Sequence, residues 1–207
     1  MLSVCMIVQD EEACIARALD SVHNYDYIEE IIVLDGGSTD RTIEIASTYT
    51  KVKLHTYPFK PLEGDRIDEQ RNRAIDLATN EWILFLDADE YYESYTMLSI
   101  PYLLSKEYLE LNQCDAFLFS RKNFLDNRLT NPIKPDYQCK LFKRYCRFVG
   151  IKHESLTGYN KSITTNLDIQ HYKTATMQQL DNERCWELGQ EHPGWEKVEG
   201  RWQRVKG

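Results

Sequence analysis

The sequence predicts an α/β domain, with a central, mostly parallel sheet flanked by helices and its functional edge at the strand C-termini. Three observations carry this. Strand-length apolar runs recur four times within the first 90 residues, separated by turns and helical patterns. Two of those runs end in aspartate, at Asp35 and Asp87. No Gly/Ser/Pro-rich linker or internal repeat divides the 207 residues, a length that suits one sizeable core.

The first strand is Leu2 to Val8. It opens into Gln9-Asp10-Glu11-Glu12 and a helical pattern that puts Ala13, Ala16, Ala18, Leu19 and Val22 on one face. The second strand, Ile31 to Leu34, runs into Asp35-Gly36-Gly37-Ser38-Thr39-Asp40-Arg41-Thr42. There the glycines permit a tight turn with close backbone approach to a ligand, and Ser38, Thr39 or Asp40 caps a helix reaching about Tyr49. A third strand, Val52 to Tyr57, leads through a proline-containing loop to a helix over Ile67 to Ala78, buried along Ile67, Ala74, Ile75 and Ala78. The fourth, Trp82 to Leu86, is apolar throughout, as befits a strand covered on both faces, and delivers Asp87-Ala88-Asp89-Glu90. Beyond it the pattern predicts one helix over Met97 to Leu111 and strands at Ala116 to Phe119, Tyr137 to Phe142 and Arg147 to Val149.

Two aspartates one residue apart at the end of a buried strand suit Mg²⁺ or Mn²⁺ holding a substrate's phosphates, because both ions prefer hard oxygen ligands. The alternative is a loop in which Asp87 and Asp89 only cap the next helix. Charge supports a cation. Residues 1–120 carry 9 Lys+Arg against 23 Asp+Glu, whereas residues 121–207 carry 16 against 10. An acidic half repels a diphosphate unless a divalent ion intervenes. The basic stretch Arg121 to Lys152 has two readings. It attracts an anionic acceptor (a phosphorylated saccharide, a lipid-linked phosphate at a membrane surface, or nucleic acid), or it pairs with the acidic half of its own fold.

Four segments carry a family resemblance. Val4 to Glu12, Ile31 to Thr42, Gln70-Arg71-Asn72-Arg73-Ala74 and Leu86 to Glu90 resemble, in order and spacing, family 2 glycosyltransferases of the GT-A fold. The resemblance implies a Rossmann-like nucleotide-sugar domain over 1–207, with a donor and metal half at 1–95, an acceptor half at 96–175 and a C-terminal helix and tail at 176–207. It implies a donor site that includes Val8, Asp10, Glu12, Asp35, Gly36, Arg71, Asp87 and Ala88. In that site Asp35 faces the base, Arg71 the diphosphate or nucleoside, and Asp87 the ribose or a metal-bound water. It implies a cation, Mn²⁺ or Mg²⁺, on Asp89 with Asp87 and His171 as further ligands. The donor expected is a UDP-sugar and the acceptor a saccharide or other hydroxyl.

Inverting transfer needs a base for the acceptor proton. Lys152-His153-Glu154 resembles the family's His-Glu element, which makes Glu154 the candidate base and His153 the alternative; Ile169-Gln170-His171-Tyr172 resembles its strand-borne histidine. Other classes fit less well. No glycine-rich basic loop follows the first strand, as a nucleotidyltransferase would require, and no Gly-x-Gly-x-x-Gly serves a dinucleotide. A metal-dependent phosphohydrolase, or a non-catalytic scaffold keeping the donor fold, is the remaining alternative.

The six cysteines lack zinc spacing and read as buried thiols in a reducing compartment. No run approaches a membrane span or a signal peptide, so the expectation is a cytosolic protein, with peripheral contact at the inner face of a membrane as one role for its basic residues. A helix is expected from Thr176 to Gln190, and after it Trp195 and Trp202 interleave with Lys197, Arg201, Arg204 and Lys206. That tail packs back on the domain, meets a membrane, closes over substrate or pairs with another subunit.

Overall fold

The computed structural model describes residues 1–130, 136–150, 154–179, 195–198 and 201–204. The chain divides into two compact units, Met1–Tyr172 and Lys173–Gly207.

In the first unit, β1 (Leu2–Val8), β2 (Ile28–Asp35), β3 (Val52–Thr56) and β4 (Trp82–Phe85) form a parallel block in the order β3-β2-β1-β4. Helices α1 (Ile15–His23), α2 (Thr42–Ala46) and α3 (Ile67–Leu77) make the connections. The sheet then continues through β8 (Asp136–Lys143), β6 (Ala116–Leu125), β11 (Ser162–Lys173) and β5 (Glu90–Tyr91); β8 is antiparallel to both β4 and β6, and β5 is antiparallel to β11. The sheet is therefore mixed, with its parallel part where the strand-helix alternation predicted it.

Register brings the functional edge together. Val8 lies opposite Asp35, and Cys5 lies opposite Phe85, so the chain leaving β4 carries Asp87 and Asp89 to the level at which β1 and β2 end. At the other end of the block a buried carboxylate ties the strands. Glu30 Oε1 accepts from Ser3 Oγ at 2.6 Å, Thr79 N at 2.7 Å and Thr79 Oγ1 at 2.8 Å, while its Oε2 accepts from Lys53 Nζ at 2.6 Å. Burial alone would raise the Glu30 carboxyl, but these donors outweigh it and hold the group at about 2.

Several elements differ from the sequence expectation. The buried face of α1 is Ile15, Ala18, Leu19 and Val22, whereas Ala13 precedes the helix and is exposed and Ala16 is half-buried. The single helix expected over Met97 to Leu111 is two, α4 (Ser94–Leu103) and α5 (Lys106–Asn112), because Ser105 caps α5 by accepting from Tyr108 N. Pro101 lies inside α4 and has no N–H for the carbonyl of Met97; the Tyr27 hydroxyl donates to that oxygen instead, at 2.7 Å. Strand β6 runs six residues past Phe119 and turns back into β7 (Arg128–Leu129) through Asp126 and Asn127, both at positive φ, as a two-residue hairpin requires.

Helix α3 organises the site from below. Its Ala74 and Ile75 join Cys5, Phe85 and Phe142 in the core. Asn72 brackets β9 (Arg147–Val149), donating to Phe148 O and accepting from Phe148 N, both at 2.9 Å, and Asp68 accepts from Gly150 N at 3.0 Å. Strand β10 (Ser155–Thr157) pairs with β9 and starts directly after Glu154.

The second unit holds a short antiparallel pair, β12 (Trp195–Val198) and β13 (Arg201–Arg204), with Trp195 opposite Arg204 and Lys197 opposite Trp202. The chain is helical at 175–179; the rest of the helix expected to Gln190 lies outside the described residues.

Candidate active site

Three groups of side chains meet at the strand ends. The first knits the β1 and β2 loops together. Asp35 accepts from Gly37 N at 2.9 Å, Ser38 N at 3.0 Å and Ser38 Oγ at 2.6 Å. Asp10, at φ +57, accepts from Thr39 N at 2.7 Å, and Glu12 accepts from Arg41 N at 3.0 Å. Gly36 donates to Val8 O at 2.8 Å, and a Cβ on it would come within 3.1 Å of Phe59 Cβ, so only glycine fits without displacement. The carboxylates of Asp10, Glu12 and Asp35 thus shape the loops.

The second group surrounds Asp87. Arg71 Nη1 donates to Asp87 Oδ1 at 2.7 Å, and Lys140 Nζ donates to Asp87 Oδ2 at 2.8 Å and to Glu90 Oε2 at 2.5 Å. Arg71 lies over the rings of Phe85 and Phe148, 4.8 and 5.3 Å from their centroids, and its buried Nε has no hydrogen-bond partner among the described residues. Burial opposes the charge on Asp87, yet Arg71 and Lys140 hold its carboxyl far below the ordinary range. Burial raises Glu90, with Asp87 and Asp89 adding to the effect against Lys140. The Lys140 ammonium resists its own burial because both carboxylates raise it.

Lys140 reaches this position through a β-bulge. Phe117 pairs with Leu141 and Leu118 with Cys139, so Lys140 is the extra residue on β8. Its signal in the sequence is a lysine directly before Leu141 and Phe142, since a buried lysine among apolar residues needs a charged partner.

The third group joins the ends of β4 and β11. His171 lies opposite Glu90, and Tyr172 N donates to Asp89 O at 3.0 Å. His171 Nε2 is 3.0 Å from Asp89 Oδ2, and its Nδ1 is 2.7 Å from Asn123 Oδ1. Among the described residues no group of three or more His, Cys, Asp or Glu side chains stands ready to hold a metal ion. Of the expected ligands, Asp89 and His171 meet while both oxygens of Asp87 are engaged by cations. A pair still suits Mg²⁺ or Mn²⁺, which usually take one or two protein ligands and complete their shell with water and substrate phosphates. The two atoms that would hold the ion are here joined to each other by a 3.0 Å hydrogen bond or ion pair.

Glu154 lies within electrostatic reach of Arg71, placed there by the α3–β9 clamp. His153 lies outside the described residues. Ala88 is buried between the two aspartates. Much of the basic stretch pairs with carboxylates of its own fold: Lys140 with Asp87 and Glu90, Lys143 with Glu81, Arg147 with Asp76, Arg121 with Asp136, and Lys122 with Asp168. The described cysteines are free, and burial raises the thiols of Cys5, Cys139 and Cys146 above their ordinary value, so none is an activated nucleophile. No helix among the described residues is long and apolar enough to cross a membrane.

A parallel βα block with aspartates at its strand ends, extended by antiparallel strands that return a histidine to the second aspartate, defines a nucleotide-sugar-binding fold of the GT-A type. Solved structures agree. The chain superposes on TarS of S. aureus crystallised with UDP at a TM-score of 0.59 and 18% identity, covering 84% of this chain and 60% of that one. It superposes on glucosyl-3-phosphoglycerate synthase of Mycobacterium tuberculosis, crystallised with Mn²⁺, UDP and glucosyl-3-phosphoglycerate, at a TM-score of 0.56 and 16% identity, covering 99% of this chain and 86% of that one.

Residues 3–167 match the model of Glycosyl transferase family 2, and the chain belongs to that family. Among curated relatives, a TPR repeat-containing protein of Synechococcus elongatus is 47% identical over 89 residues, 43% of this chain and 20% of its own length. An uncharacterized glycosyltransferase of Rickettsia bellii is 29% identical, covering 86% of this chain and 62% of the relative. The glycosyltransferase SunS from the SPbeta prophage of Bacillus subtilis is 28% identical over 92% of this chain and 46% of the relative. The chain thus spans from a fifth to about three fifths of these relatives.

Proposed function

We propose that this chain transfers a sugar from a nucleotide-diphosphate donor, UDP-linked, to an acceptor hydroxyl, with inversion and with assistance from Mn²⁺ or Mg²⁺. The observation that carries the reading is the convergence of Asp35, Arg71, Asp87, Asp89 and His171 on one sheet edge within a family 2 domain. Related folds crystallised with UDP, one of them also with Mn²⁺, support the donor class.

Each residue has a task in this reading. Asp35 receives the base N–H, releasing one of its loop hydrogen bonds to do so. Arg71 grips the diphosphate with the guanidinium edge that Asp87 leaves free. Asp87, fixed by two cations, takes the ribose. Asp89 and His171 hold the divalent ion, which when bound offsets charge on the departing diphosphate. Glu154, close to Arg71, removes the acceptor proton, with His153 as the alternative base. Because the basic stretch is largely paired internally, a neutral saccharide hydroxyl fits this site better than an anionic acceptor or nucleic acid.

Thermal unfolding with UDP and Mn²⁺ tests the donor site: the midpoint should rise and return to baseline with EDTA. A mass-spectrometric screen for donor hydrolysis then identifies the sugar. No stabilisation by any nucleoside diphosphate with Mn²⁺ would reject the reading, and stabilisation without hydrolysis or transfer would favour a non-catalytic donor-binding protein.

A further inference from the structure

We propose that Asn123 is a positioning residue: its side-chain amide, itself oriented by Asp136, sets the hydrogen on His171 Nδ1 and leaves Nε2 a lone pair for a divalent cation shared with Asp89. The inference rests on the metal-assisted reading above and adds a residue to it.

The chain of contacts starts at Asp136. Arg121 Nε and Nη2 donate to Asp136 Oδ2 at 2.8 and 2.7 Å, and Gln138 Nε2 donates to Oδ1 at 2.7 Å. Burial would raise this carboxyl, but Gln138 and Arg121 keep it below its ordinary value, so Asp136 is an anion and only accepts. Asn123 therefore turns its Nδ2 toward Asp136 Oδ2, at 3.4 Å, and its Oδ1 toward His171. The reversed amide would set two oxygens against each other at the first contact.

A carbonyl oxygen cannot donate, so the 2.7 Å contact between Asn123 Oδ1 and His171 Nδ1 requires the hydrogen on Nδ1. In the neutral ring Nε2 then carries a lone pair, and it faces a carboxylate oxygen at 3.0 Å. Two acceptors at this distance repel unless a second ring hydrogen or a metal cation joins them. Without Asn123 the favoured tautomer reverses: Nε2–H would donate to Asp89 and close the seat with a hydrogen bond. The polar residues that carry β6 past Phe119 thus act on an ion they do not touch, as outer partners of ligating histidines do.

The experiment reads tautomer and metal affinity separately. Nitrogen-15 spectra of the metal-free full chain in alkaline buffer should show hydrogen on His171 Nδ1 alone. Hydrogen on Nε2 there, alone or with Nδ1, overturns the proposal without any variant. Asn123→Leu should shift the ring to the Nε2–H form and weaken Mn²⁺ binding in the presence of UDP, read by electron paramagnetic resonance, by about 10–100-fold. A merely structural role would lower the unfolding midpoint of Asn123→Leu and leave the tautomer unchanged, and that result, or Mn²⁺ affinity within twofold of wild type, refutes the assignment. If the wild-type chain binds no UDP with Mn²⁺, the donor reading itself fails and takes the cation seat with it, whereas a normal wild type beside an unaffected Asn123→Leu isolates the failure to Asn123.

Discussion

Replacing Lys140 with methionine keeps most of the side chain's length and volume while removing the ammonium that lies 2.8 Å from Asp87 and 2.5 Å from Glu90. Lys140 is 5% exposed and Glu90 is 0% exposed, so water cannot replace the lost charge. Breaking a buried pair by removing one partner costs about 3–5 kcal/mol. The low end applies, because Glu90 is already raised by burial and can take a proton once Lys140 is gone. The expected loss is about 3 kcal/mol near neutral pH.

Its pH dependence has a defined sign. In the variant the folded-state carboxyl of Glu90 lies further above its ordinary 4.5, so the folded form binds the proton more tightly than the unfolded chain. Stability relative to wild type is then lost as pH rises beyond about 4.5, and the gap narrows between pH 7 and pH 5. Urea unfolding at both pH values measures it. Adding Glu90→Gln to Lys140→Met should restore at least half of the loss, because the uncompensated charge disappears. A single variant within about 1 kcal/mol of wild type, or a double variant no better than the single, would show that the two charges are not coupled as described.

Glu30→Gln should remove about 3 kcal/mol at pH 7, the value of holding a carboxyl at about 2 instead of 4.5. That stability is complete above 4.5 and is lost as pH falls toward 2, so the variant's unfolding should be flatter over this window in acid titrations. Asp89→Ala should abolish Mn²⁺-dependent UDP binding by calorimetry, and retained Mn²⁺-stimulated turnover in the folded variant would remove Asp89 from the cation site. Glu154→Gln should lower transfer by about 10²–10⁴ with the donor dissociation constant little changed. A larger loss in His153→Ala beside an active Glu154→Gln would move the base to histidine.

The parallel block was legible because its signals are local. Leu2 to Val8 and Trp82 to Leu86 announce buried strands by composition, and the aspartates that follow them lie close by in the chain. The split between α4 and α5 was also local, written in Ser105 ahead of Lys106-Glu107, but Tyr108, Leu109 and Leu111 carry apolar residues past it and mask the cap. What could not be read locally depended on register. Lys140 meets Asp87 across 53 residues through a bulge, and Asn123 meets His171 across 48, neither of which a period-two pattern encodes. Asp35 shows a different limit: its strand-end position was evident, while its bonds to Gly37 and Ser38 depend on how the loop closes.

The bulge at Lys140 also makes β8 a joint. On one side of it, Leu141 to Lys143 are locked in register with β4 and hence with the parallel block. On the other, Asp136 to Cys139 pair with β6. The extra residue absorbs a change of phase between the two parts of β8, so the pairing of Leu118 to Arg121 with Asp136 to Cys139 is out of step with that of Leu141 to Lys143. Changes between Leu118 and Arg121 would then proceed without rebuilding the strands that present Asp87 and Asp89.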